Sequence, residues 1–390
     1  MTGMLLVVTI DRLPAWIMPA YGGTWVSMPA VDALAARGVV FDAMLATSTD
    51  HLATVADLLG GETRPALAAW ADAAGAMLVT DDAALARACP GVQAVVVPPP
   101  AAATAVDEAA TGLARLCDAA AAAVTAGRHR VVWCHVGSLG MAWDAPAEFR
   151  DAYVDPEDPP PPAGAMVPAF SVTADTDPDV VMGCRQAFAG QLTLLDRRIG
   201  ALFDAAGPTA TVFFAGVRGM PLGLHGLMGC GELPPFSEVV RLPAILVDGA
   251  GRMAGQRFVG LATPADLAAT LVELGGGRAA GATAPWHGRS LAGLFVDWSA
   301  EPRDRVVVAG PTGVAVVTPA WQLVLPATTA DDGARPLLFA KPDDHFELCD
   351  VADRCSDVVD ELGDVARAAA AGDLPRAWAA GLGSAATTPA

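Results

Sequence analysis

Charged and imidazole side chains lie at the ends of apolar runs at three places in the chain. Asp11 directly follows one run, His135 closes a second, and Arg218 and His225 lie in a glycine-rich stretch after a third. Such runs are typical of strands buried in a parallel sheet. Because the loops at the carboxyl ends of these strands build the active site of open α/β sheets, the four residues are candidates for one site. Taken singly, an aspartate there is more often a cap or turn residue, and a histidine is most often structural.

Two further stretches carry groups that chemistry could use. Asp81-Asp82 has the form of a metal-binding pair, but acidic residues at a helix start are usually capping residues. The stretch 47–49, Thr-Ser-Thr, precedes a helix with a buried apolar face, and we expect Ser48 or Thr49 to cap that helix.

The elements that must position these groups follow from the pattern of the chain. Apolar runs predict strands at Met4–Ile10 and Thr211–Ala215, and the spacing of apolar residues predicts long helices over Val106–Ala126 and Asp179–Ala206. From Arg305 onward, short β-rich runs predict a small antiparallel sheet. The tail, rich in alanine and glycine, is expected to fray.

Composition excludes some classes of function. The chain has 390 residues and a formal net charge of −19, which argues against binding to nucleic acid. No run reaches the roughly 18 apolar residues of a membrane span. The seven cysteines are odd in number and have no Cys-x-x-Cys spacing, which favours reduced thiols. With no leader pattern at the start of the sequence, we expect a cytoplasmic protein.

Five motifs, taken in order, resemble one family. They are Met28–Ala35, Met141–Phe149, Leu194–Gly200, Leu222–Gly226 (Leu-Gly-Leu-His-Gly) and Val240–Pro243 (Val-Arg-Leu-Pro). Together they are similar to the sulfatase family of the alkaline phosphatase superfamily, over about Met4 to Asp360. The resemblance implies an α/β fold, an alkaline-phosphatase-like sandwich whose large, mostly parallel sheet is flanked by helices, with a small C-terminal antiparallel sheet. We expect an α/β domain over 1–300, an α+β subdomain over 301–370 and a frayed tail over 371–390.

The resemblance also implies a site, and the sequence departs from it at most positions. Asp11 falls on a metal-ligand position of the family, and His135 and His225 match more loosely. Other expected groups are replaced: the cysteine nucleophile by His51, its arginine by Val55, a leaving-group histidine by Gly140, two later metal ligands by Val217 and Arg218, and a later lysine by Cys230. With no cysteine near position 51, formylglycine chemistry is excluded.

Two hypotheses of different class follow, beside a third alternative of a scaffold with no ligand. The first is a sulfatase-like protein without catalysis, acting as a binding or interaction module, with no cofactor and with a protein or small anionic ligand as partner. The second is a divergent sulfuric- or phosphoric-ester hydrolase that uses Ca²⁺ or Mg²⁺ and a relocated Thr or Ser nucleophile. The remnant pocket would contain His51, Thr49, Thr54, His135, His225 and Arg218, beside the retained metal-ligand position Asp11.

Two structural predictions test this alignment. Asp11 ends an apolar strand, where a carboxylate without a positive partner is costly to bury. With the ligand position at Val217 apolar, we predict that the Arg218 guanidinium lies within about 6 Å of the Asp11 carboxylate, the range of close charge pairing. Arg12 should point away, because consecutive residues at a strand end point apart. We also predict that His51 lies at the N-terminus of its helix and lines the remnant pocket.

Overall fold

The structure is a computed structural model of the chain. It describes residues 3–59, 75–275, 288–327 and 335–373, together with Ala377, Trp378 and Ala386.

Fifteen strands lie in the described ranges. They are β1 Leu5–Ile10, β2 Val39–Leu45, β3 Ala76–Thr80, β4 Gln93–Val96, β5 Val131–Val136, β6 Ala169–Ser171, β7 Thr211–Gly216, β8 Leu227–Gly229, β9 Arg241–Leu242, β10 Ala244–Val247, β11 Gln256–Ala262, β12 Val306–Gly310, β13 Gly313–Val317, β14 Trp321–Pro326 and β15 Leu337–Ala340.

The α-helices of the same ranges are α1 Pro29–Arg37, α2 His51–Leu58, α3 Ala83–Ala88, α4 Gly112–Thr125, α5 Ala147–Asp151, α6 Pro178–Ala206, α7 Ser237–Val240, α8 Pro264–Leu274 and α9 Ser356–Ala370. Short 3₁₀ turns lie at Ala15–Ile17, Pro19–Tyr21, Glu108–Ala110, Ser138–Gly140, Ala292–Phe295 and Ala352–Arg354. No described helix is long and apolar enough to cross a membrane.

The large sheet has nine strands in the order β11-β2-β10-β7-β1-β5-β3-β4, with β9 paired to β2. Five consecutive strands of this sheet are parallel to one another, in the order β7-β1-β5-β3-β4. Strand β10, on the other side of β7, is antiparallel to it. A separate sheet has the order β12-β13-β14-β15 and is antiparallel throughout. The predicted large, mostly parallel sheet and small C-terminal antiparallel sheet are therefore confirmed.

Contacts divide the chain into two compact units. The first contains Met1–Val40, Ala68–Gly231 and Pro243–Arg257, and the second contains Phe41–Leu67, Glu232–Leu242 and Phe258–Ala390. The predicted division into 1–300 and 301–370 follows a different line and stays a prediction.

In the first unit the core is built on β1, all six residues of which are buried. Helix α6 packs against α4 and α1. Asp196 of α6 accepts hydrogen bonds from the N–H groups of Ala30 and Val31, both at 2.9 Å, and so satisfies the first turn of α1. Burial raises the pKa of Asp196, and these two N–H groups oppose that rise.

The second unit has a buried ion pair of its own. Arg303 donates from Nε and Nη2 to the Asp266 carboxylate at 2.7 and 2.6 Å, and both side chains are almost fully buried. The ring of Trp378 stacks on the Arg303 guanidinium. The tail that was expected to fray lies largely outside the described residues, but Ala377, Trp378 and Ala386 are buried.

Two local predictions are wrong. The helix predicted over Val106–Ala126 begins only at Gly112, because the Thr111 hydroxyl accepts from the Ala114 N–H and caps α4 there. The cap of α2 is Asp50, whose carboxylate accepts from the Ala53 N–H at 2.9 Å. Ser48, one of the two predicted caps, instead accepts from the Asp50 N–H at 3.1 Å.

His345, in the second unit, gives a prediction about pH. Burial, then the positive charges of Arg241 and Lys341, lower the pKa of His345 from 6.5 to about 4. Between these values the unfolded chain binds a proton that the folded protein does not, so the free energy of unfolding should fall as the pH falls from about 6.5 to about 4. In His345→Gln the free energy of unfolding should fall less over this pH range, because the unfolded chain then binds roughly one proton fewer.

The measurement is chemical denaturation across this pH range, with an NMR titration of the His345 ring in the folded protein. A ring that titrates near its ordinary value, or identical pH profiles for the two proteins, would contradict the assignment.

Candidate functional site

Strand register brings three loops of the first unit to one edge of the sheet. Ile10, the last residue of β1, is paired with Val136 of β5 and with Gly216 of β7. The main-chain pairing continues one step further, since the Asp11 N–H donates to the Val136 carbonyl and the Val217 N–H donates to the Ile10 carbonyl, both at 2.9 Å. The loops that follow the three strands therefore begin at the same level.

The Asp11 carboxylate and the Arg218 guanidinium form a bidentate ion pair across two of these loops. Arg218 donates from Nε to Oδ1 at 3.0 Å and from Nη2 to Oδ2 at 2.6 Å. The Asp11 side chain is 8% exposed and that of Arg218 is 20% exposed. The predicted approach of Arg218 to Asp11 is confirmed. Both carboxylate oxygens are engaged by one planar guanidinium, the geometry in which arginine binds a carboxylate most strongly.

Arg12 lies beside this pair in an unusual backbone conformation. Its φ is 64°, in the left-handed region that non-glycine residues seldom adopt. The residue is 8% exposed, and its Nε is buried without a hydrogen-bond partner in the described structure. Burial, then the Arg218 guanidinium, lowers the pKa of Arg12, while Asp11 and Cys230 oppose that effect. The prediction that Arg12 points away from Asp11 is wrong: a Cβ at position 140 would lie close to both Arg12 Cγ and Asp11 Oδ2, so the two side chains are neighbours. Nothing in the sequence indicated a buried cation.

Gly140 makes room for Arg12. A Cβ at position 140 would lie 3.2 Å from Cγ of Arg12 and 3.9 Å from Oδ2 of Asp11. The carbonyl of Gly140 accepts a hydrogen bond from the Cys230 thiol at 3.3 Å. A side chain as large as the histidine that the resemblance predicted here would displace the arginine, so Gly140 and Arg12 depend on each other.

Asp81 and Asp82, at the end of β3, accept hydrogen bonds from main-chain N–H groups, which is a structural role. Asp82 caps α3, as the sequence indicated, by accepting from the Ala84 and Leu85 N–H groups at 2.7 and 3.1 Å. Asp81 accepts from the Gly137 N–H at 2.6 Å and so holds the loop after β5. Burial raises the pKa of Asp81, and the hydrogen bond from Gly137 opposes the rise.

His135 lies inside the sheet. It is fully buried, and its Nδ1 lies 2.8 Å from Oγ1 of Thr9, its partner in the register of β1 and β5. The same hydroxyl accepts from Trp133 Nε1 at 2.7 Å. The Thr9 hydroxyl thus joins His135 to Trp133 inside the sheet. The structural interpretation of this histidine accords with its burial.

His225 is half-buried in the loop between β7 and β8. The Gly223 N–H donates to the Leu227 carbonyl at 2.8 Å and closes the turn that carries the histidine. At Gly229, φ is 80° and a Cβ would lie 1.9 Å from the Pro168 carbonyl oxygen, so only glycine fits.

The remaining predicted pocket residues belong to the second unit. His51 is the first residue of α2, as predicted, and it is half-buried. That it lines the remnant pocket stays a prediction. Thr54 is fully buried, and its hydroxyl donates to the Asp50 carbonyl at 3.1 Å, a bond within its own helix. Thr49 is half-buried and packs on Gly310, where a Cβ would lie 2.2 Å from the threonine Oγ1.

Comparison with solved structures identifies the fold. The phosphonate monoester hydrolase of Agrobacterium radiobacter covers 97% of this chain and 97% of its own, with TM-score 0.68 and 17% identity. The phosphonate monoester hydrolase of Silicibacter pomeroyi covers 97% of this chain and 97% of its own, with TM-score 0.70 and 16% identity. A 2-O GAG sulfatase covers 96% of this chain and 92% of its own, with TM-score 0.70 and 15% identity. The chain has the fold of the sulfatases and phosphonate monoester hydrolases. No protein-family model matches the sequence, and no curated protein matches it.

The sulfatase resemblance implies a divalent cation at Asp11, but the residues present do not fit one. Ca²⁺ and Mg²⁺ bind several oxygen ligands, usually with carboxylates among them. Here both oxygens of Asp11 are bonded to Arg218, and Val217, at the next expected ligand position, is buried and apolar. In the part of the chain that the structure describes, no group of three or more His, Cys, Asp or Glu side chains could hold a metal ion.

The pair should show strong coupling in a double-mutant cycle. Arg218→Met leaves a buried carboxylate without its partner, which should lower the free energy of unfolding by about 3 kcal/mol. Once Asp11→Asn has removed the carboxylate, the same arginine change should cost much less. Denaturant unfolding of both single variants and the double variant measures the coupling. Arg115→Met, at an exposed helical position, serves as the surface control and should change stability little. Additive effects of the two single changes would show that the pair is not coupled.

Proposed function

We propose that this protein is a non-catalytic, metal-independent binding module built on the sulfatase fold. The observation that carries the proposal is the bidentate pair between Asp11 and Arg218. It occupies the one carboxylate that the sequence retains at a metal-ligand position, and it supplies a fixed positive charge in the place of a cation. The protein therefore keeps the electrostatics that hold its loops together without needing an ion.

The absence of catalysis is supported by what catalysis at a sulfate or phosphate ester requires. A hard cation bound by several ligands activates the nucleophile and stabilises the charge that develops on the ester oxygens. His51 stands where the resemblance predicts the nucleophile, and Thr54 uses its hydroxyl within its own helix.

The alternative is a divergent ester hydrolase, and one observation favours it: the solved structures of like fold are hydrolases by name. In this alternative Thr49 would serve as the relocated nucleophile.

We also propose a cytoplasmic location, with which the free cysteines of the described chain accord.

Metal content tests the first half of the proposal. Protein purified without chelator should contain less than stoichiometric calcium, magnesium and zinc, and titration with Ca²⁺ or Mg²⁺ should give no saturable heat. Asp11→Asn is compared with Asp204→Asn, which removes an exposed carboxylate on α6. One tightly held equivalent that is lost in Asp11→Asn and retained in Asp204→Asn would overturn the metal-independent assignment.

Turnover tests the second half. Aryl sulfates, aryl phosphates and aryl phosphonate monoesters should be hydrolysed no faster with the protein than in buffer, with and without added divalent cation. Saturable hydrolysis that disappears in Thr49→Ala or Thr54→Ala would replace the binding module with the divergent hydrolase. Hydrolysis that survives both changes and a second purification scheme would indicate a divergent hydrolase with another nucleophile, whereas hydrolysis lost on that purification would come from a contaminating enzyme.

A further inference from the structure

Arg12 is a buried cation that the Asp11–Arg218 pair does not neutralise. The residue is 8% exposed, its Nε has no hydrogen-bond partner, and among the described residues no carboxylate forms an ion pair with it. Asp11, the neighbouring carboxylate, already accepts from Arg218 with both oxygens. Two guanidinium groups therefore lie beside one carboxylate, so Asp11, Arg12 and Arg218 together have a formal charge of plus one.

Such an arrangement is costly in the protein without a ligand. A charged group removed from water is destabilised unless a partner replaces its hydration. The nearby Arg218 adds repulsion: burial, then this guanidinium, lowers the pKa of Arg12. The left-handed backbone at Arg12 adds conformational strain. Costs of this kind persist where the surrounding structure enforces them, and they are concentrated at functional sites.

The surrounding structure does enforce the position of Arg12. The Asp11 N–H is bonded to Val136, and the Leu13 N–H donates to the Arg218 carbonyl at 2.9 Å, so the turn is held on both sides of the arginine. The Gly140 loop packs on the arginine side chain from a third direction. The guanidinium is thus held at the carboxyl ends of β1, β5 and β7, where ligands of open α/β sheets bind.

We propose that Arg12 is the anchor of an oxyanion-binding site that works without a metal ion. Its ligand is a small oxyanion, or a larger molecule with a sulfate, phosphate or carboxylate group at one end. The planar fork of a guanidinium binds such groups through two parallel hydrogen bonds, and the Arg218 charge adds long-range attraction. This inference rests on the proposed function, because a divalent cation at Asp11 would change the charge on which the site depends.

The test compares ligand binding in three proteins, all treated with EDTA and held at constant ionic strength with chloride. Isothermal titration and thermal unfolding are measured with inorganic phosphate, inorganic sulfate and acetate as separate probes. Wild type should bind at least one of them saturably. Arg12→Asn removes the charge and tolerates the left-handed backbone, so it should bind at least about tenfold more weakly. Arg115→Gln, which removes an exposed arginine, should bind as wild type does.

A second readout separates binding from general salt effects. Without ligand, Arg12→Asn should have a higher melting temperature than wild type, because an uncompensated buried charge is gone. It should also lose the saturable rise in melting temperature that wild type shows with its preferred anion. If Arg12→Asn does not fold, Arg12→Lys keeps the charge but not the fork, and it should bind more weakly than wild type.

The outcomes distinguish this inference from the proposed function. Binding of none of the three probes, or equal binding by wild type and the Arg12 variants, overturns the oxyanion site and leaves the metal-independent module intact. A lower melting temperature of ligand-free Arg12→Asn overturns the argument that the buried charge lacks a partner. Binding that appears only when Ca²⁺ or Mg²⁺ is restored overturns the proposed function instead.

Discussion

The contact on which the site depends is the ion pair between Asp11 and Arg218. Asp11 is fixed by the central strand of the sheet, and Arg218 by the loop after the neighbouring strand, so the pair closes one loop on the other. A buried ion pair is seldom more stable than apolar groups of the same shape, but removing one partner leaves the other charge stranded. The pair is therefore best understood as a constraint: once it exists, neither residue can change alone without a large loss of stability.

Arg218 and the two residues beside the pair, Arg12 and Gly140, form a consistent set. Arg218 donates hydrogen bonds to both oxygens of the Asp11 carboxylate, and Arg12 lies beside this pair without a carboxylate of its own. Gly140 leaves the space that the Arg12 side chain fills. A larger side chain at 140 or a carboxylate at 218 would each change the charge or the volume that the other two require. The protein as a whole has a net charge of −19, yet the group formed by Asp11, Arg12 and Arg218 is net positive. Total charge thus says little about what one site attracts.

The sequence predicted the fold much better than the details of the site. Buried strands such as β1 are short, continuous apolar runs, a signal that local composition alone carries. The contact between Asp11 and Arg218 was also predictable, because a carboxylate at a buried strand end needs a positive partner. The cap of α2 was missed because Ser48, Thr49 and Asp50 are all good caps, and the choice depends on where the backbone turns. The conformation of Arg12 could not be read from sequence, since left-handed backbone at a non-glycine residue is imposed by surrounding contacts.

The way the loops are held explains how a fold can be kept while its chemistry changes. The turn after β1 is positioned by main-chain bonds from Asp11 to Val136, from Val217 to Ile10 and from Leu13 to Arg218. None of these bonds depends on side-chain identity, so the loops begin at the same level whatever residues they carry. The strands beneath them are fully buried and mostly apolar, and their buried polar groups Thr9, Trp133 and His135 contact one another. What limits the side chains at this edge is therefore electrostatic: a carboxylate at position 11 needs a positive partner, which an ion or an arginine can supply. With Arg218 in that role, the charge of Arg12 is left for something outside the chain.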